Sequence, residues 1–508
     1  MHSWARRAKT MKKYDDIVVG SGISGLTMSL LLAMNGHKVM LIEKGQHVGG
    51  SLSRFTRKGV AFDTGFHFTG GLHEGGILAD ILTFLGIRDF IEPVFLGDSF
   101  KNRFIFETAN RRFEHPSGIE NVKQQFKSYF PDDASAIDRY FEKIQSVCRR
   151  TPALNIQNNT ITPPNLDEDY ISLDAVLKEL TPNLLLRGLL SGYVMCYGVR
   201  PDEISFANHS RMVLSFYESL ACVKNGGDAF VNAFLARFKE YDVDIRCGTT
   251  INEMVDIRDN KVGRFILNSG EEIVADSCVF AIHPKEILHS LPAKHYSPAF
   301  ANRIESFESS IGIFTAFAIL KPETVDPYPD AGITSIFPND DINLLLDPSF
   351  KGDPALVIIK MPEQNDGRKG VCILEPSFPE EVMRWKDTAR GERPREYLEY
   401  KQQRTDAIRN HLLRAFPAYR ESLEIVDAAT MLTFKEYLNS PDGSAYGVKQ
   451  KMGQYNLIGK LPLHNLFATG QSALLPGIIG AMMSSLIVGR AVVGKGQFGK
   501  LLNQALCH

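Results

Sequence analysis

The sequence lacks the features of a metal protein, a nucleic-acid-binding protein or a membrane-spanning protein. Its seven cysteines are dispersed, none forms a C-x-x-C pair, and no Cys/His spacing matches a metal site. The 57 basic residues are balanced by 59 acidic ones, which gives no positive field for nucleic acid. Residues 478–493 are mostly apolar but short for a bilayer, and Ser484, Ser485 and Arg490 interrupt them. We therefore expect a globular chain that binds neither metal nor nucleic acid.

The dispersed cysteines and the lack of a signal-peptide core indicate where the protein is located and what its two ends are. Dispersed, reduced thiols are typical of cytoplasmic proteins. Residues 1–13 are basic but lack the apolar core of a secretory signal, so they predict a tail. Residues 496–508 overlap a second glycine pattern, at 494–499, which no strand precedes, and we expect a flexible tail there as well. We expect a cytoplasmic protein, with peripheral contact at a membrane as the alternative.

The most informative segment that is present is a strand, a glycine turn, a helix and a second strand near the start of the chain. Apolar residues 17–19 lead into Gly-Ser-Gly-Ile-Ser-Gly at residues 20–25. A helical segment over 26–35 and an apolar run at 39–42 follow, and that run ends in Glu43. This order is that of a complete dinucleotide-binding βαβ unit.

Each glycine of such a unit, and the acidic residue that ends it, has a physical task that this sequence can perform. Gly20 permits the tight turn, Gly22 lets the backbone approach a pyrophosphate, and Gly25 lets the helix pack closely. The N–H groups at the start of the helix then meet the phosphates. Glu43 can accept hydrogen bonds from both ribose hydroxyls and would repel a 2′-phosphate, which argues against NADP.

Beyond residue 75 the pattern changes several times along 508 residues, a length that allows two or three domains. Residues 77–150 are predicted to be helical, as are residues 173–197. The leucine-rich run at 184–190 is a candidate wall for an apolar cavity, although an ordinary core helix would show the same pattern. Residues 226–282 form a second α/β portion, and the stretch to residue 450 carries further strands.

Four places in the chain carry a family resemblance. They are the glycine motif with Glu43, the pair Gly49-Gly50, the Phe-Asp-Thr-Gly-Phe-His segment at 62–67, and Gly470 with Pro476-Gly477. Together they resemble the flavin-dependent phytoene desaturase, carotenoid isomerase and retinol saturase superfamily, over most of the chain in outline. The resemblance implies an α/β fold with an FAD-binding βαβ domain of the glutathione-reductase type, assembled from three chain segments, and an interleaved α+β substrate domain.

The resemblance also implies domain limits and a set of cofactor-binding residues. The FAD-binding domain would comprise residues 14–75, 226–285 and 455–495, and the substrate domain residues 76–225 and 286–454. The residues expected to bind FAD are Gly20, Ser21, Gly22, Ser24, Gly25, Glu43, Lys44, Gly50, Ser51, Val255, Gly470, Gln471, Gly477, Ile478 and Ile479. The helix that begins near Ile478 would direct its positive end at the flavin ring.

Two positions depart from the pattern of the family. Many bacterial phytoene desaturases carry Arg directly after the Gly-Gly pair, whereas this chain has Ser51, and its nearest Arg is Arg54. Such a start, followed by the segment at 62–67, is more similar to the saturase and isomerase branch. Several relatives have Asp where this chain has Gln471, so a role that needs a negative charge there is in doubt.

Flavin enzymes of this kind need few acid or base groups from the protein, because the cofactor carries the redox chemistry. His67 is the best candidate for a catalytic polar group, and Tyr446 is the second. A histidine that only bonds to backbone and a packed turn tyrosine are the structural alternatives. Asp63 is expected to fix its turn, and His283 is expected to be structural.

The resemblance implies an FAD-dependent oxidoreductase that acts on carbon–carbon double bonds of a long apolar polyene, isoprenoid or retinoid-like lipid. Saturation is favoured over desaturation because of Ser51 and the His67 segment. The alternatives are a reduced-flavin-dependent carotenoid cis–trans isomerase, a flavin amine oxidase and a noncatalytic lipid carrier. An amine oxidase is disfavoured because Trp4 and Trp385 are the only tryptophans and neither lies near the C-terminal motif. The electron donor or acceptor and the oligomeric state stay open.

Overall fold

The computed structural model describes residues 12–97, 100–156, 165–322, 326, 328, 330–362, 366–454 and 456–506. Most of the predicted basic tail therefore lies outside the described residues. Its last two residues, Lys12 and Lys13, begin the first strand of the structure. Cys507 and His508, at the end of the predicted C-terminal tail, also lie outside the described residues.

An eight-stranded sheet carries the glycine motif. Its main path, in spatial order, is β10 (Asp244–Arg246), β2 (Val39–Ile42), β1 (Lys12–Val19), β13 (Glu272–Phe280), β12 (Arg264–Leu267) and β11 (Ile251–Val255). The second half of β13 also pairs with β20 (Leu466–Ala468), which pairs with β19 (Gly459–Lys460). Strands β10, β2, β1, β13 and β20 are parallel. The predicted α/β fold with a dinucleotide-type parallel sheet is confirmed.

The centre of this sheet is covered on both faces, which explains the unbroken apolar runs in its sequence. Ile17 and Val18 of β1 are completely buried, as are all four residues of β2. Helix α1 (Ile23–Met34) and helix α15 (Gly477–Val493) pack side by side against it. Both helices are buried over most of their length, so neither shows a clean polar face.

A seven-stranded sheet forms the second layer of the molecule. Its order is β18 (Leu423–Ala429), β14 (Gly312–Leu320), β17 (Lys369–Ser377), β16 (Leu356–Lys360), β15 (Ala331–Phe337), β7 (Phe100–Phe106) and β8 (Arg111–Glu114). The prediction of a helical pattern over residues 77–150 is wrong in its middle, since β7 and β8 lie there. Alternate residues of β7, including Phe100, Phe104 and Phe106, are buried at strand spacing, and this period-two signal identifies the strand.

The remaining elements surround the two large sheets. The helices are α2 (Ile77–Phe84), α3 (Ile119–Tyr129), α4 (Ala134–Arg149), α5 (Leu173–Leu180), α6 (Leu184–Ser191), α7 (Phe206–Glu218), α8 (Gly226–Glu240), α9 (Pro284–Ser290), α10 (Pro298–Glu305), α11 (Ile342–Leu345), α12 (Pro379–Val382), α13 (Arg395–Ala415), α14 (Met431–Leu438) and α16 (Lys495–Leu506). The small sheets are β3 (Arg54–Arg57) with β4 (Val60–Asp63), and β5 (Thr69–Gly70) with β9 (Leu220–Val223) and β6 (Pro93–Phe95).

The helix predicted over residues 173–197 is divided into shorter pieces. Thr181 has an extended backbone and ends α5. It precedes Pro182, and a proline disfavours the helical conformation for the residue before it. Ser172 and Asn183 then cap α5 and α6 with their side chains. Leu189 of α6 is 0% exposed, so this residue belongs to the core and not to a membrane-facing surface.

The flexible tail predicted from residue 496 onward is wrong for the described part, which forms helix α16. Phe498 and Leu502 are 2% and 7% exposed, and the Phe498 ring lies 5.6 Å from the Phe84 ring of α2. The four-residue spacing of these side chains gives α16 an apolar stripe that packs on α2. Within the described part of the chain, the helices are too short or too polar to cross a bilayer.

Candidate functional site

The glycine turn after β1 is shaped by two close approaches of backbone. Gly20 has φ +94°, a conformation that glycine adopts without the strain other residues incur. A Cβ on Gly25 would lie 1.8 Å from the Gly20 carbonyl oxygen, so α1 can pack here only because residue 25 is glycine. Gly22, by contrast, faces open space, with no atom within 4 Å of where its Cβ would be. The turn therefore presents bare backbone at the start of α1.

Glu43 holds the turn from the neighbouring strand end. Its Oε2 accepts hydrogen bonds from the Ser21 N–H at 2.9 Å and the Ser21 hydroxyl at 2.6 Å. Its Oε1 accepts from the Gly45 N–H at 2.7 Å. Because a carboxylate offers about four acceptor positions, one remains for a ribose hydroxyl. Ser21 is thus directed at Glu43, and Lys44 beside it is exposed.

Two helices begin at this site without a capping side chain. No side chain accepts a hydrogen bond at the start of α1 or of α15, and neither helix has an acidic residue in its first turn. The start of α15 comprises Gly477, Ile478 and Ile479. Helices α5, α6 and α7, by comparison, are each capped by a serine or asparagine. Free N–H groups and positive dipole ends therefore meet at this place, where they suit phosphate or other electron-rich groups.

Buried hydroxyls hold α1 and α15 together. The Ser24 hydroxyl donates to the Ala481 carbonyl at 3.2 Å, and the Ser485 hydroxyl donates to the Ser24 carbonyl at 2.9 Å. The Ser484 hydroxyl accepts the Gly470 N–H at 2.9 Å. In the sequence, Ser484 and Ser485 are recognisable only as interruptions of an apolar segment. Hydroxyls inside an apolar helix need buried partners, and this requirement is the signal that could have revealed the contact.

A trough of small residues leads away from the start of α1. A Cβ on Gly50 would lie 3.2 Å from the Gly22 Cα, so these two backbones pass each other closely. A Cβ on Gly65 would lie 2.9 Å from the Ser51 Cβ. Gly65 in turn lines a large cavity. Gly22, Gly50, Ser51 and Gly65 thus connect the glycine turn to that cavity, and this path fits an extended dinucleotide with a ring at its far end.

Asp63 connects the segment that leads to Gly65 with Arg54 of β3 and with the start of α8. It forms an ion pair with Arg54 at 2.8 Å and accepts the Gly227 N–H at the start of α8. A Cβ on Gly226 would lie 2.0 Å from the Asp63 carboxylate, which accounts for the Gly226-Gly227 pair. Burial raises the pKa of Asp63 to about 6, despite the opposing effect of Arg54. The predicted role of Asp63 in fixing its turn agrees with these contacts.

The cavity has a volume of about 920 Å³ and lies between α7, α15 and the seven-stranded sheet. Most of its wall is apolar. Met212 and Phe216 come from α7, Met483 and Ile487 from α15, and Ile313, Val357, Ile359 and Leu374 from the sheet. Residues 195–197 also line it, whereas the leucine run at 184–190 does not. The expected cavity wall is therefore displaced along the chain from the place predicted.

His67 and Tyr446 both line this cavity, together with Gly477, Ile478 and Ile479. The Nδ1 atom of His67 is buried and has no hydrogen-bond partner among the described residues. Burial lowers the pKa of His67 to about 4, so its ring is neutral near pH 7. The Tyr446 hydroxyl donates to the Met195 carbonyl at 3.2 Å, and burial raises its pKa above the ordinary value. Both candidate groups are thus uncharged in an apolar surrounding.

Three of the residues predicted to bind the cofactor have partners within the chain, and their role stays a prediction. Val255 pairs with Arg264 at the end of β11, and its carbonyl accepts the Gly263 N–H at 3.3 Å. The backbone beside Glu43 is instead that of Thr249, whose N–H donates to the Glu43 carbonyl at 2.9 Å. Gly470 is buried, with its N–H bonded to Ser484, and Gln471 is half-buried beside Gly447.

Thr249 was missed because the sequence pattern marks the strand β11 and not the turn before it. In a parallel sheet the turns at the carboxyl ends of neighbouring strands meet at one edge. β10 ends at Arg246 beside β2, so residues just after Arg246 must lie next to Glu43. Thr249 lies three residues after the end of β10 at Arg246, so the end of β10, and not the strand β11, predicts its place beside Glu43.

The comparisons with known proteins agree with this geometry. A family model described as an NAD(P)-binding Rossmann-like domain matches residues 18–84. The all-trans-retinol 13,14-reductase of Homo sapiens is 24% identical over 97% of this chain and 87% of its own length. The protein of that name from Danio rerio is 26% identical over 95% and 86%, respectively. A 4,4'-diapophytoene desaturase (4,4'-diaponeurosporene-forming) of Staphylococcus haemolyticus is 19% identical over 86% and 89%.

Solved structures share the architecture at lower identity. An oxidoreductase from Methanosarcina mazei superposes with a TM-score of 0.64 at 13% identity, covering 93% of this chain and 99% of that one. A putrescine oxidase variant superposes with a TM-score of 0.65 at 11% identity, covering 94% and 98%. The fold and the site define a dinucleotide-binding protein with an attached cavity domain. Over most of its length the chain resembles the superfamily of phytoene desaturases, carotenoid isomerases and retinol saturases, as its four sequence motifs predict.

Proposed function

We propose that this protein is an FAD-dependent oxidoreductase that reduces a carbon–carbon double bond in a long apolar lipid. The observation that carries the proposal is the continuous path from the uncapped start of α1, past Gly50 and Ser51, into an apolar cavity of about 920 Å³. Such a path suits a dinucleotide whose ring meets an apolar substrate. Relatives named as reductases of a retinoid over nearly the whole chain support the direction of the reaction.

Residues of this chain would bind FAD at three places. The bare backbone at Gly22 and the start of α1 would bind the pyrophosphate, and Glu43 with Thr249 would adjoin the adenosine part. The start of α15 at Gly477 would lie at the ring. When bound, FAD supplies hydride transfer to or from carbon, which no side chain can provide. The Glu43 carboxylate would repel the 2′-phosphate of NADP. FAD has no 2′-phosphate, so this repulsion does not oppose its binding.

The cavity residues orient the lipid, exclude water and hold a proton. Apolar side chains of α7, α15 and the sheet form most of the wall to which His67 and Tyr446 belong. Saturation of a double bond adds one proton as well as one hydride. The neutral His67 ring carries one proton, and its unpartnered Nδ1 lies in the cavity wall. His67 is therefore the group that we expect to steady the charge that develops on the substrate, because a neutral ring can donate a hydrogen bond while keeping its one proton.

The alternatives predict different chemistry in the same cavity. A cis–trans isomerase would use the same cofactor path, so only the product separates it from a reductase. A flavin amine oxidase would need an aromatic pair beside the ring, whereas the lining residues near Gly477 in the chain include Leu474, Leu475, Ile478 and Ile479. Of the two carboxylates in the lining, Glu375 is paired with Arg404. A peripheral membrane location belongs to this proposal, because a long polyene must be collected from a lipid surface.

The test combines cofactor analysis with product mass. Purified protein is reconstituted with FAD, freed of excess cofactor and denatured to release the flavin for chromatography. The holoprotein is then incubated with a lipid extract, with and without a chemical reductant, and the products are analysed by mass spectrometry. We expect one FAD per chain and a product heavier by two hydrogens. Absence of bound flavin contradicts the cofactor, and a product of unchanged mass indicates the isomerase.

A further inference from the structure

Reduction of a double bond needs a proton as well as a hydride, and one carboxyl group in the cavity wall is placed to supply it. Glu218, the last residue of α7, lines the cavity and is half-buried. Its backbone carbonyl accepts the Ser117 hydroxyl at 3.4 Å. Within the described part of the chain, its carboxyl group has no hydrogen-bond or ion-pair partner. A carboxyl group without a partner in a largely apolar wall is more stable when it carries a proton.

The end of α7 lies directly against β5. A Cβ on Gly70 would lie 2.3 Å from the Ser215 carbonyl oxygen, so these two backbones are in contact. Glu218 follows Ser215 by three residues, about 5 Å along a helix. His67 precedes β5 by two residues, and its side chain lines the same cavity. Glu218 and His67 therefore belong to neighbouring parts of one wall.

The start of α15 lies beside the same segment. Gly71 follows β5 directly, and a Cβ on this residue would lie 3.5 Å from the Ile479 side chain in the first turn of α15. This first turn is where the ring of FAD is proposed to lie. Glu218 is thus on the side of the cavity where ring and lipid would meet, and a proton from it would enter there.

The surroundings of Glu218 also connect it to solvent. The residue that follows it, Ser219, has its hydroxyl 2.7 Å from the Nδ1 atom of His73, which is half-buried. Gly75, two residues after His73, is exposed and lines the cavity, as does the exposed Arg149 at the end of α4. The cavity therefore opens at this place, and water can return a proton to Glu218.

The charges around Glu218 favour its protonated form. The titratable or charged groups on the elements packed around it are His73 before α2, Asp80 of α2, Cys148 and Arg149 of α4, and Arg211 of α7. Arg211 is matched by Asp169, and Arg149 is exposed to a screening solvent. Burial raises the pKa of Glu218, and the opposing effect of His73 is smaller. A raised pKa keeps the proton available closer to neutral pH, as a general acid requires.

The second carboxyl group of the lining points away from the cavity. Glu375 forms an ion pair with Arg404 of α13. Leu374, its neighbour on β17, packs in the core that contains Ile359 and Cys372, whereas α13 packs on the other face of the sheet. Successive residues of a strand point to opposite faces, so the Glu375 side chain lies on the α13 face. Its carboxyl group is therefore separated from the lipid by the sheet.

The thiols and phenols of the lining are poor proton donors. Burial raises the pKa of both Cys148 and Cys196 to about 12. It also raises the pKa values of Tyr197 and Tyr446 above the ordinary range. Groups with such pKa values hold their protons near pH 7, far from the match that acid catalysis needs. Glu218 is the lining group whose chemistry fits the task.

We propose that Glu218 is the general acid of the double-bond reduction. As a hydride from reduced FAD forms a C–H bond at one carbon of the conjugated chain, the O–H bond of Glu218 breaks and its proton forms a C–H bond at another. The lipid gains two hydrogens and two electrons, FAD is oxidised, and the Glu218 carboxylate then takes a proton from water. The proposal rests on the proposed function and adds the source of the proton, while His67 steadies the developing charge.

The test follows a single turnover of the reduced, FAD-reconstituted protein with a conjugated polyene. Glu218→Gln keeps the size of the side chain but has no acidic proton. We expect its rate of flavin oxidation to fall by about 10²- to 10⁴-fold, with flavin content and lipid affinity unchanged. Glu218→Asp should recover part of the rate. Glu74→Gln is the matched control and should keep the wild-type rate, because Glu74 is exposed in the loop before α2.

The pH dependence gives a readout that a packing role would not move. The wild-type rate should fall as the pH rises through the pKa of Glu218, because the acid must be protonated, whereas the rate of Glu218→Gln should not show this fall. Infrared difference spectra of the oxidised wild type and Glu218→Gln should show a protonated carboxyl band that persists above pH 4.5, the ordinary pKa of glutamate. This measurement needs no turnover.

The outcomes separate the role of Glu218 from the proposed reaction. A rate in Glu218→Gln within twofold of wild type would overturn the role of Glu218 alone, as would a wild-type rate that does not fall with rising pH. A wild type that makes no lipid heavier by two hydrogens refutes the proposed reaction and, with it, the need for an acid. If Glu218→Gln does not fold, the wild-type pH profile and Glu218→Asp decide.

Discussion

The two ends of the path through this molecule are built by opposite means. At the glycine turn, residues within one short segment bring bare backbone, an uncapped helix and Glu43 together. At the cavity, the wall comes from α4, α7, α15 and the seven-stranded sheet, which lie far apart in the chain. One end is polar with its hydrogen bonds arranged around an open space, whereas the other is apolar with His67 left unpartnered. The glycine turn can therefore be altered without touching the cavity, and the apolar wall of α7 and the sheet without touching the glycine turn.

The largest expected effect breaks the glycine-turn end alone. Gly25→Ala places a Cβ 1.8 Å from the Gly20 carbonyl oxygen, so α1 must move away from the turn. We expect loss of bound FAD, measured as flavin absorbance per chain after reconstitution. Gly496→Ala is the matched control, because Gly496 also lies in the first turn of a helix and no atom lies within 4 Å of its Cβ position. Normal flavin content in Gly25→Ala would contradict the tight packing of the turn.

The next effect lies at the cavity end and leaves the cofactor in place. His67→Phe removes the ring nitrogens but keeps an aromatic ring in the wall. We expect the rate of double-bond reduction to fall by about 10²- to 10³-fold, the usual contribution of one hydrogen-bond donor that steadies a developing charge. Flavin content should be unchanged. The comparison variant is His47→Phe at an exposed site, which should keep the wild-type rate. A rate in His67→Phe within twofold of wild type would assign His67 a packing role only.

A smaller effect tests whether the cavity is the lipid site. Met212→Trp adds bulk to the apolar wall and should weaken lipid binding by about 10- to 100-fold, at a stability cost of about 1–3 kcal/mol. Met212→Leu keeps the volume and should bind lipid as the wild type does. Binding is followed by titration of the oxidised holoprotein with a polyene. Unchanged lipid affinity in the tryptophan variant, with the fold intact, would place the lipid elsewhere.

The smallest effect is a change in the pH dependence of stability. The pKa of His67 is about 4 in the folded protein, below its ordinary value of 6.5. Its neutral, buried state therefore contributes fully above pH 6.5, and this stability is lost as the pH falls towards 4. His67→Phe should lessen the fall in unfolding free energy by up to about 1.4 kcal/mol per pH unit in this window. His115, His209 and His283 also have lowered pKa values, so a slope remains.

Denaturant unfolding at several pH values between 4 and 7 measures this slope. Parallel curves for His67→Phe and the wild type would contradict the lowered pKa, and so would a steeper fall in the variant. The His47→Phe protein again serves as the control, since it lacks a histidine outside the cavity. The same data sharpen the comparison of the two ends, because a neutral His67 is what distinguishes the apolar end.

The glycine-turn end was largely predictable from sequence, because its determinants are local. The strand, the turn at Gly20, the helix and the strand that ends in Glu43 follow each other without interruption. The α/β class and the oxidoreductase superfamily were predicted from this unit and from three further short motifs. Thr249 escaped because its position depends on how β10 pairs with β2, which the chain order alone does not reveal.

The cavity end was harder to predict, since apolar periodicity does not distinguish a cavity wall from a core. The leucine run at 184–190 and the wall residues Met212 and Phe216 have similar hydropathy, yet only the latter line the cavity. Strand β7 was read as part of a helical region because the signal of a short strand is weak beside long amphipathic helices. Helix α16 was not predicted, because Gly496 and Gly499 have low helix propensity, although Phe498 and Leu502 have helical spacing and are buried.

The most direct test of the central account is a single turnover of the reduced holoprotein. The FAD-reconstituted protein is reduced under anaerobic conditions, freed of reductant and mixed with a polyene alcohol, and flavin oxidation is followed by absorbance while the lipid is analysed by mass spectrometry. The account predicts one lipid molecule, heavier by two hydrogens, for each flavin oxidised. A flavin that stays reduced while the lipid keeps its mass, isomerised or not, would contradict it.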